Sequence, residues 1–527
     1  MNPRKFWSAA VILLVLMAVV IRLRLLDIPL ERDEGEFAYA GQLMLQGVPP
    51  YTLACNIKLP GIYAGYAAIM AVFGQTAVGI HFGFLLVILG TLVLLYFIAR
   101  RLLPSAGVLV CCASYILLSL SPFMVSLAGH AAHLVMLAAL GGLLLLLRAR
   151  ENGRGREIFL SGLCLGVAFL CKQPGLFFCL LGAAILARDV MLGKPPAWRL
   201  RLRNVGLFAL GGILPLALTC LLMWRAGTFD RFWFWTITYA QVHGRMLPPD
   251  SGVRHLVQFF STGPDRWFFV AGAASLACLW LAPDLNDRRL LLTAWYVLSW
   301  CAVTVGFYFT RHYFIFLLPV TCLLLGLAVA SVADWLGRSR MPRLSVAAPA
   351  LFVAAVGWTI WANRAVWFEM SPELVCALSY AADPFVECIA VAQYIRQNSA
   401  PSDRIAVVGS EPEIYFYARR HSVTGYLYMY DLMGDQPYAS SMQKDFIHDV
   451  ETAQPEYLVL VNNPSSWTTW PQSDRTIFVW SRKYPPEHYQ LVGIAAMYPS
   501  YTEYFWGKEA ASADVKTSSV IYVLKRK

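Results

Sequence analysis

The sequence predicts a mainly α-helical membrane protein of about eleven transmembrane helices, with a small soluble α/β domain at its C-terminus. The composition and the distribution of apolar residues predict this class. Charged residues make up only 14% of the 527 residues, apolar types reach 58%, and the mean hydropathy is +0.54. The apolar residues also form long runs that stop at residue 362. A soluble protein with so few charges could not cover that much apolar surface, so lipid must be the solvent of most of the chain.

Eleven apolar runs precede the C-terminal part. They are 6–21, 79–98, 105–120, 130–147, 158–171, 175–187, 204–223, 267–282, 290–309, 313–332 and 344–362. Several are shorter than the about 20 residues that a straight span needs, so we expect tilted helices or help from the flanks. Short basic loops lie between them, at 100–101, 148–156, 188–203, 288–289 and 338–343. Because basic loops stay cytoplasmic, we expect a multi-pass protein of the cell (inner) membrane, with its N-terminus inside and its C-terminal part outside.

Two segments do not fit a simple span. The run 61–73 would be roughly 20 Å of helix, too short for a hydrocarbon core of ~30 Å, so we expect it to lie on the outer face. The runs 158–171 and 175–187 both have flanks that look cytoplasmic, which predicts a hairpin. Its tip reads Cys171-Lys172-Gln173-Pro174-Gly175, and this places Lys172 near the outer face.

The charge balance divides the chain in two. Residues 1–362 hold 29 basic and 14 acidic residues, whereas residues 363–527 hold 14 and 18. The basic excess lies between hydrophobic runs, so no nucleic-acid partner is expected. We therefore expect a transmembrane catalytic domain over 1–362, with a first outer loop at 27–78, and an exported soluble domain over 363–527.

The exported part has the pattern of an α/β domain. Predicted strands are 405–409, 457–461, 489–494 and 520–524, and predicted helices are 385–398, 412–420 and 440–453. The turn at 409–413 carries two glutamates rather than bare amides, so it indicates a structural helix start and not a phosphate site. Cys376 and Cys388 could pair in an oxidising compartment, but their spacing does not decide it.

The first outer loop holds four acids in six positions: Glu31, Asp33, Glu34 and Glu36. Carboxylates at a membrane surface face desolvation and an anionic leaflet, so their presence favours a functional role. The alternative is a solvated loop in which Asp33 caps a helix that begins near Glu34.

Cations lie at the same predicted face. Lys58 starts the short surface helix, where the alternative is a snorkelling anchor. Lys172 is less easily explained, because a lysine within the membrane is costly and usually functional. The outer loop 225–266, which includes Arg245, suits an anionic lipid head group or forms a solvated lid.

Six further residues stand at predicted outer helix ends. His312 and Tyr313 mark one helix boundary, where the alternative is an aromatic belt with an anchor. His130 and His133 begin another helix, where hydrogen-bonded core histidines are the alternative. Arg22 and Arg24 lie at the predicted outer end of the first helix, although basic residues usually lie on the cytoplasmic side. They therefore either contact phosphate head groups or have a structural role.

Acids and cations gathered at one membrane face indicate group transfer from a phosphate-bearing lipid. In such a reaction the acid takes a proton from an incoming hydroxyl, and the cations stabilise the leaving phosphate.

Several motifs occur together: Asp33-Glu34-Gly35-Glu36-Phe37-Ala38, Gly47 to Tyr51, Lys58-Leu59-Pro60-Gly61, Lys172-Gln173-Pro174, His312-Tyr313 with Pro319, and Phe385 to Tyr415 in the tail. As a set they resemble the polytopic GT-C glycosyltransferases that use polyprenyl-phosphate sugars. These are the bacterial relatives of protein O-mannosyltransferases and lipid A aminoarabinose transferases. The first-loop block carries most of this resemblance.

The resemblance implies an inverting hexosyl or pentosyl transfer at the periplasmic face. The donor would be a polyprenyl-phosphate sugar, and the acceptor a lipid, polysaccharide or protein hydroxyl. Asp33 would be the catalytic base, Glu34 a supporting acid and Lys58 a contact to the donor phosphate. The predicted topology adds Lys172 as a second phosphate contact.

The resemblance requires no cofactor and leaves a divalent metal open. Many relatives have a second acid where this chain reads Gly129-His130-Ala131-Ala132-His133, so the helper is His133 or is absent. His312, Arg245 and Tyr313 are further candidate supporting residues.

Two other functions remain open from sequence. A transporter or flippase of a lipid-linked sugar would also need intramembrane cations, but it predicts inverted repeats, and the Lys172 hairpin has no matching second segment. A non-catalytic scaffold that recruits envelope proteins through its tail predicts that Asp33→Asn is silent.

Overall fold

The structure is a computed structural model that describes residues 3–191, 198–281, 286–339, 342–381 and 383–527. Up to residue 362 the helices are α1 Pro3–Arg24, α2 Arg32–Leu45, α3 Pro60–Phe73, α4 Ala77–Leu102, α5 Ser105–Leu118, α6 Ala131–Asn152, α7 Gly155–Cys171, α8 Leu176–Met191, α9 Trp198–Arg225, α10 Phe229–Trp233, α11 Ala240–His243, α12 Pro249–Thr262, α13 Arg266–Leu281, α14 Asn286–Thr304, α15 Leu318–Arg338 and α16 Ala347–Ala362. Short 3₁₀ segments precede α8 and α15, at Gln173–Gly175 and Arg311–Leu317.

The tail is a mixed sheet covered by helices. Its elements are α17 Pro372–Tyr380, α18 Phe385–Gln397, β1 Arg404–Val408, α19 Glu413–Ala418, β2 His421–Ser422, α20 Met429–Met433, α21 Ala439–Ala453, β3 Tyr457–Asn462, α22 Pro464–Trp467, α23 Thr476–His488, β4 Tyr489–Met497, β5 Thr502–Trp506, α24 Lys508–Ser512 and β6 Val520–Arg526. The strand order is β2-β1-β3-β6-β4-β5. β1 pairs with β2 and β3 in parallel, and the remaining pairs are antiparallel.

The predicted fold class is confirmed, and the four predicted tail strands all form. β2 and β5 were not predicted. β2 is only two residues long, and β5 is an edge strand that pairs with β4 alone. Cys376 and Cys388 are both free and buried.

Each of the eleven predicted apolar runs coincides with a helix over most of its length. Residues 119–120, 130 and 308–309 lie just beyond the helix ends, and residue 282 lies outside the described residues. The predicted basic loops at 188–203 and 338–343 also contain such residues, 192–197 and 340–341. Among the described helices, seven are long and apolar enough to cross a membrane, or eight if the bent pair α17 and α18 is one span. α5, α7 and α13 are shorter, with 14, 17 and 16 residues. Eleven crossings therefore stays a prediction.

The predicted hairpin forms from α7 and α8. Its tip is a 3₁₀ turn in which the Gly175 amide donates to the Lys172 carbonyl over 2.8 Å. Glycines let α7 lie directly on α9, since a Cβ added at Gly162 would be 3.0 Å from the Gly212 nitrogen. Such close backbone approach is typical of helix packing in membranes.

Helix ends meet at one face of the bundle, where α1, α5 and α7 end and α4 and α6 begin; we call it the site face. Arg22 is buried there and donates to the Ser119 and Ser126 carbonyls over 2.6 and 2.8 Å. Arg24 donates to the carbonyls of 366, 367 and 370 over 2.6 to 3.0 Å. Both guanidiniums satisfy carbonyls left free at helix ends, so the structural alternative accounts for them and the phosphate head-group interpretation does not.

The tail docks onto α2. Arg32 donates to the Ser410 carbonyl over 2.6 Å and forms ion pairs with Asp383 at 2.9 Å and Glu411 at 3.5 Å. Next to it, a Cβ added at Gly35 would lie 2.7 Å from the Glu413 Cβ, so only glycine allows α2 and α19 to approach this closely. The apolar residues of α2, α3, β1, β3 and α21 belong to one continuous core.

Glu413 is a buried carboxylate at this contact. It is 0% exposed, and neither of its oxygens has a hydrogen-bond partner among the described residues. Burial, assisted by the charge of Glu411, raises the pKa of Glu413 to about 8. The folded protein therefore binds a proton there that the unfolded chain has already lost at neutral pH.

This carboxylate predicts a pH dependence of stability. Because the folded-state pKa lies above the unfolded value, stability is greatest below about pH 4.5 for this group and falls as pH rises toward 8, by roughly 1 kcal/mol per pH unit. Glu413→Gln should flatten the fall. The measurement is the midpoint of thermal unfolding of the purified protein from pH 5 to 8.5, with the exposed Glu509→Gln as control. An unchanged slope in Glu413→Gln would contradict the assignment.

Candidate functional site

Helix α2 begins with a capping box. Glu31 is the N-cap, and its carboxylate accepts the backbone amides of Asp33 and Glu34 over 3.1 and 3.2 Å. The Glu34 carboxylate accepts the Glu31 amide in return, over 3.3 Å. The alternative in which Asp33 caps a helix starting near Glu34 is therefore wrong, because the helix starts at Arg32. Asp33 lies in the first turn with its carboxylate free for another partner.

That partner is Lys58. Its Nζ donates to Asp33 Oδ1 over 3.2 Å, with side-chain exposures of 14% for Lys58 and 21% for Asp33. Burial alone would raise the pKa of Asp33, but attraction to Lys58 and Lys172 and the hydrogen bond from Lys58 outweigh it and lower the pKa. Burial also disfavours the charged form of Lys58 and by itself would lower its pKa. The carboxylates of Asp33 and Glu36 outweigh this effect, and the pKa of Lys58 is raised. The pair is therefore an ionised carboxylate beside a lysine cation.

Lys172 joins this pair from the hairpin tip. It is 7% exposed, and its Nζ lies 4.1 Å from the centroid of the Tyr313 ring. The next residue, Gln173, donates to the Ile57 carbonyl over 2.5 Å, which ties the tip to the segment that carries Lys58. The structure thus brings Asp33, Lys58, Lys172 and Tyr313 together, as the predicted topology required.

Glu34 has a different environment from Asp33. It is 1% exposed and accepts from His81 Nε2 over 3.0 Å and from the Gly129 amide over 2.5 Å. Burial would raise the pKa of Glu34, but the His81 contact overcomes this and the pKa is lowered. With these donors and the Glu31 amide, the Glu34 carboxylate is fully engaged, and it fixes the segment before α6 against α2.

His130 follows directly from that anchored glycine. Its ring stacks on His312 with centroids 4.2 Å apart and an interplanar angle of 16°. Its Nε2 faces the Val125 carbonyl at 3.1 Å and therefore carries the proton, which leaves Nδ1 as a free lone pair. Burial lowers the pKa of His130 to about 4, so the ring is neutral.

Asp33, His130 and His312 could hold a metal ion. Each offers one ligand atom, and these atoms lie within 4.8 Å of one another. Two imidazoles and a carboxylate suit Zn²⁺ or Mn²⁺, and the unpartnered Nδ1 of His130 fits such a role. His133 is not in this set. It lies one turn further along α6, with its ring 6.2 Å from that of Phe84.

Arg245 lies apart from this cluster. It is exposed and lines a depression of about 560 Å³ together with Gln241 and Asp435. Within the described residues, no contact joins it to Asp33 or to either lysine.

Glu36 was not predicted to be a site residue. Its buried carboxylate accepts from the Tyr63 hydroxyl at 2.5 Å, the Tyr428 hydroxyl at 2.8 Å and Asn56 Nδ2 at 3.0 Å. Burial raises the pKa of Glu36 to about 7. Its place among the four acids was the available signal, but its partners come from two other segments, residues 56–63 and the tail. His130 was missed in favour of His133 for a similar reason, since only the fold shows which ring faces Asp33.

Comparisons with known proteins agree with this architecture. Residues 59–235 match the sequence profile of the dolichyl-phosphate-mannose-protein mannosyltransferase family; the match begins one residue after Lys58 and includes Lys172. No curated protein sequence matches the chain.

Solved structures resemble it over nearly its whole length. ArnT from Cupriavidus metallidurans bound to undecaprenyl phosphate aligns over 98% of both chains, with 15% identity and a TM-score of 0.60. The archaeal oligosaccharyltransferase AglB from Archaeoglobus fulgidus, in complex with an inhibitory peptide and a dolichol-phosphate, aligns over 96% of this chain and 75% of its own. The identity is 14% and the TM-score 0.57. The chain is thus a multi-pass membrane protein with the GT-C glycosyltransferase fold, and its residues 59–235 match the dolichyl-phosphate-mannose-protein mannosyltransferase family.

Proposed function

We propose that the protein is a membrane glycosyltransferase that moves a sugar from a polyprenyl-phosphate donor to a hydroxyl acceptor at the outer, periplasmic face. The observation that carries this proposal is the ionised Asp33 between Lys58 and Lys172, all largely buried at one face of the bundle. Burial and the neighbouring Lys58 lower the pKa of Lys172 to about 7, so a bound phosphate would favour its charged form. The carboxylate then serves as a base for the acceptor, and the two lysines supply counter-charge for the leaving phosphate.

The transfer is a single displacement. The acceptor oxygen attacks the anomeric carbon, the bond from that carbon to the phosphate oxygen breaks, and Asp33 takes the acceptor proton. The leaving polyprenyl phosphate keeps the bonding electron pair and gains negative charge next to Lys58 and Lys172. Attack opposite to the leaving group inverts the anomeric centre.

The ion pair also regulates the basicity of Asp33. In the free protein Lys58 donates to Asp33 and contributes to lowering its pKa, so the carboxylate is charged but weakly basic. A donor phosphate competes for Lys58, and sharing that cation raises the proton affinity of Asp33. The base therefore strengthens when donor is bound.

The supporting residues hold this arrangement. In the proposal Glu34 acts through position, because its carboxylate anchors Gly129 and so places His130 beside Asp33. A divalent cation held by Asp33, His130 and His312 would add Lewis-acid stabilisation of the phosphate. Tyr313 supports Lys172 through its ring, whereas Arg245 lies apart from these residues and has no part in this step.

Support for a lipid-linked donor comes from three sources. The matched family is named for dolichyl-phosphate-mannose, and the two similar structures contain undecaprenyl phosphate and dolichol-phosphate. The basic loops of the sequence support the choice of face, because residues 100–101 and 148–156 lie at the ends of α4 and α6 opposite the site face, and basic loops are usually cytoplasmic. The fold gives no support to the transporter alternative.

Replacing the base should abolish turnover. Asp33→Asn removes the proton acceptor, and we expect the rate to fall roughly 10²–10⁴-fold while carrier binding persists. The assay is transfer of radiolabelled sugar from undecaprenyl-phosphate donors by the purified chain in nanodiscs, with a panel of acceptors. The control is Asp27→Asn, an exposed carboxylate just before α2. A rate unchanged in Asp33→Asn, or equally reduced in both variants, would rule out this role.

Replacing either lysine should weaken the phosphate site. Lys58→Met and Lys172→Met each remove a charged contact, so we expect the affinity for undecaprenyl phosphate to fall about tenfold or more. Binding is measured in nanodiscs by titration calorimetry, with Arg254→Met as control because Arg254 is exposed and pairs with Asp250 on α12. Wild-type affinity in both lysine variants would place the phosphate elsewhere.

A further inference from the structure

A second polar network lies on the tail side of the site. The Tyr239 hydroxyl donates to Asp431 Oδ1 over 3.1 Å, and His243 Nδ1 is 3.7 Å from the same oxygen. The Asp431 side chain is only 6% exposed, and His243 is 20% exposed. This network joins the outer loop that follows α9 to helix α20 of the tail.

Two tyrosines flank the network. Tyr308 stacks on His243 with centroids 5.3 Å apart and planes within 12°, and its hydroxyl donates to the His243 carbonyl over 3.0 Å. Tyr430 stacks on Tyr428 with centroids 4.7 Å apart. Both are partly exposed, so each presents an aromatic surface as well as a hydroxyl.

The network is linked to helix α2 by direct contacts. Tyr430 stacks on Tyr428, and the Tyr428 hydroxyl donates to Glu36 Oε2 over 2.8 Å, three residues along α2 from Asp33. Tyr308 lies five residues before Tyr313, whose ring is 4.1 Å from Lys172 Nζ. A ligand that extends from the two lysines toward the tail would therefore approach Asp431 and its aromatic neighbours.

We propose that Asp431 and His243 bind hydroxyl groups of the donor sugar, with Tyr308 and Tyr430 packing against its ring. This inference rests on the proposed function. A polyprenyl chain must lie toward the membrane helices, and the sugar is bonded directly to the phosphate. The sugar therefore lies on the opposite side of the lysines, which is the tail side.

The chemistry of the network fits a neutral hexose. A carboxylate accepts hydrogen bonds from two adjacent hydroxyls, and Nδ1 of His243 has no hydrogen-bond partner among the described residues. Aromatic faces pack well against the apolar faces of a pyranose ring. Sugar identity is then determined by residues of the tail and the outer loop, separately from the phosphate-binding lysines.

The test measures the contribution of the sugar to affinity separately from that of the lipid carrier. Affinities of the full chain in nanodiscs are measured for undecaprenyl phosphate and for undecaprenyl phosphate linked to mannose, glucose or galactose. We expect at least one hexose to increase the wild-type affinity. Asp431→Asn, which keeps an acceptor for Tyr239, should reduce that increase about tenfold or more and leave binding of the bare carrier unchanged. His243→Gln should act in the same direction.

The matched control is Asp445→Asn. Asp445 accepts a tyrosine hydroxyl, that of Tyr426 at 3.1 Å, much as Asp431 does, but it is exposed on α21. It should behave as wild type. The inference is overturned if no hexose increases wild-type affinity, if Asp431→Asn keeps the full increase, or if it weakens the bare carrier equally. A wild-type protein that does not bind bare carrier would instead refute the proposed function.

Discussion

Four carboxylates lie within six consecutive residues of one buried segment. The site depends on each of them having a different environment. Two like charges 4 Å apart at an effective dielectric of 20 repel by about 4 kcal/mol, so the acids cannot share one environment. Glu31 is the N-cap of α2 and accepts backbone amides. Glu34 accepts from His81 and the Gly129 amide on the side of the membrane helices, and Glu36 accepts from the hydroxyls of Tyr63 and Tyr428. Among the four acids as the structure describes them, Asp33 is the one that accepts a hydrogen bond from a lysine. This division leaves one ionised carboxylate beside Lys58.

The same helix connects the membrane helices to the tail. On one side Glu34 fixes Gly129, and on the other Arg32 binds the tail through Ser410, Asp383 and Glu411. A displacement of the tail would therefore move α2 and with it Asp33. The tail is part of the framework of the site, and this explains how residues near 430 come within range of Asp33.

Much of the fold could be predicted because it depends on local pattern. The apolar runs predicted the membrane helices, and the Pro-Gly pair predicted the hairpin tip on which Lys172 lies. The start of α2 could not be predicted in the same way, because Glu is a less common N-cap than Asp and the local sequence favoured Asp33. The roles of Glu36 and His130 depend on partners far away in sequence, such as Tyr428 and His312, and no local pattern indicates those contacts.

The central claim is that Lys58 and Lys172 hold the phosphate of a polyprenyl carrier beside Asp33. The most direct test is an experimental structure of the protein with bound undecaprenyl phosphate. We expect phosphate oxygens within hydrogen-bonding distance of both lysine Nζ atoms, with the Asp33 carboxylate next to them. A phosphate bound elsewhere, for example in the depression beside Arg245, with Lys58 still donating only to Asp33, would contradict it.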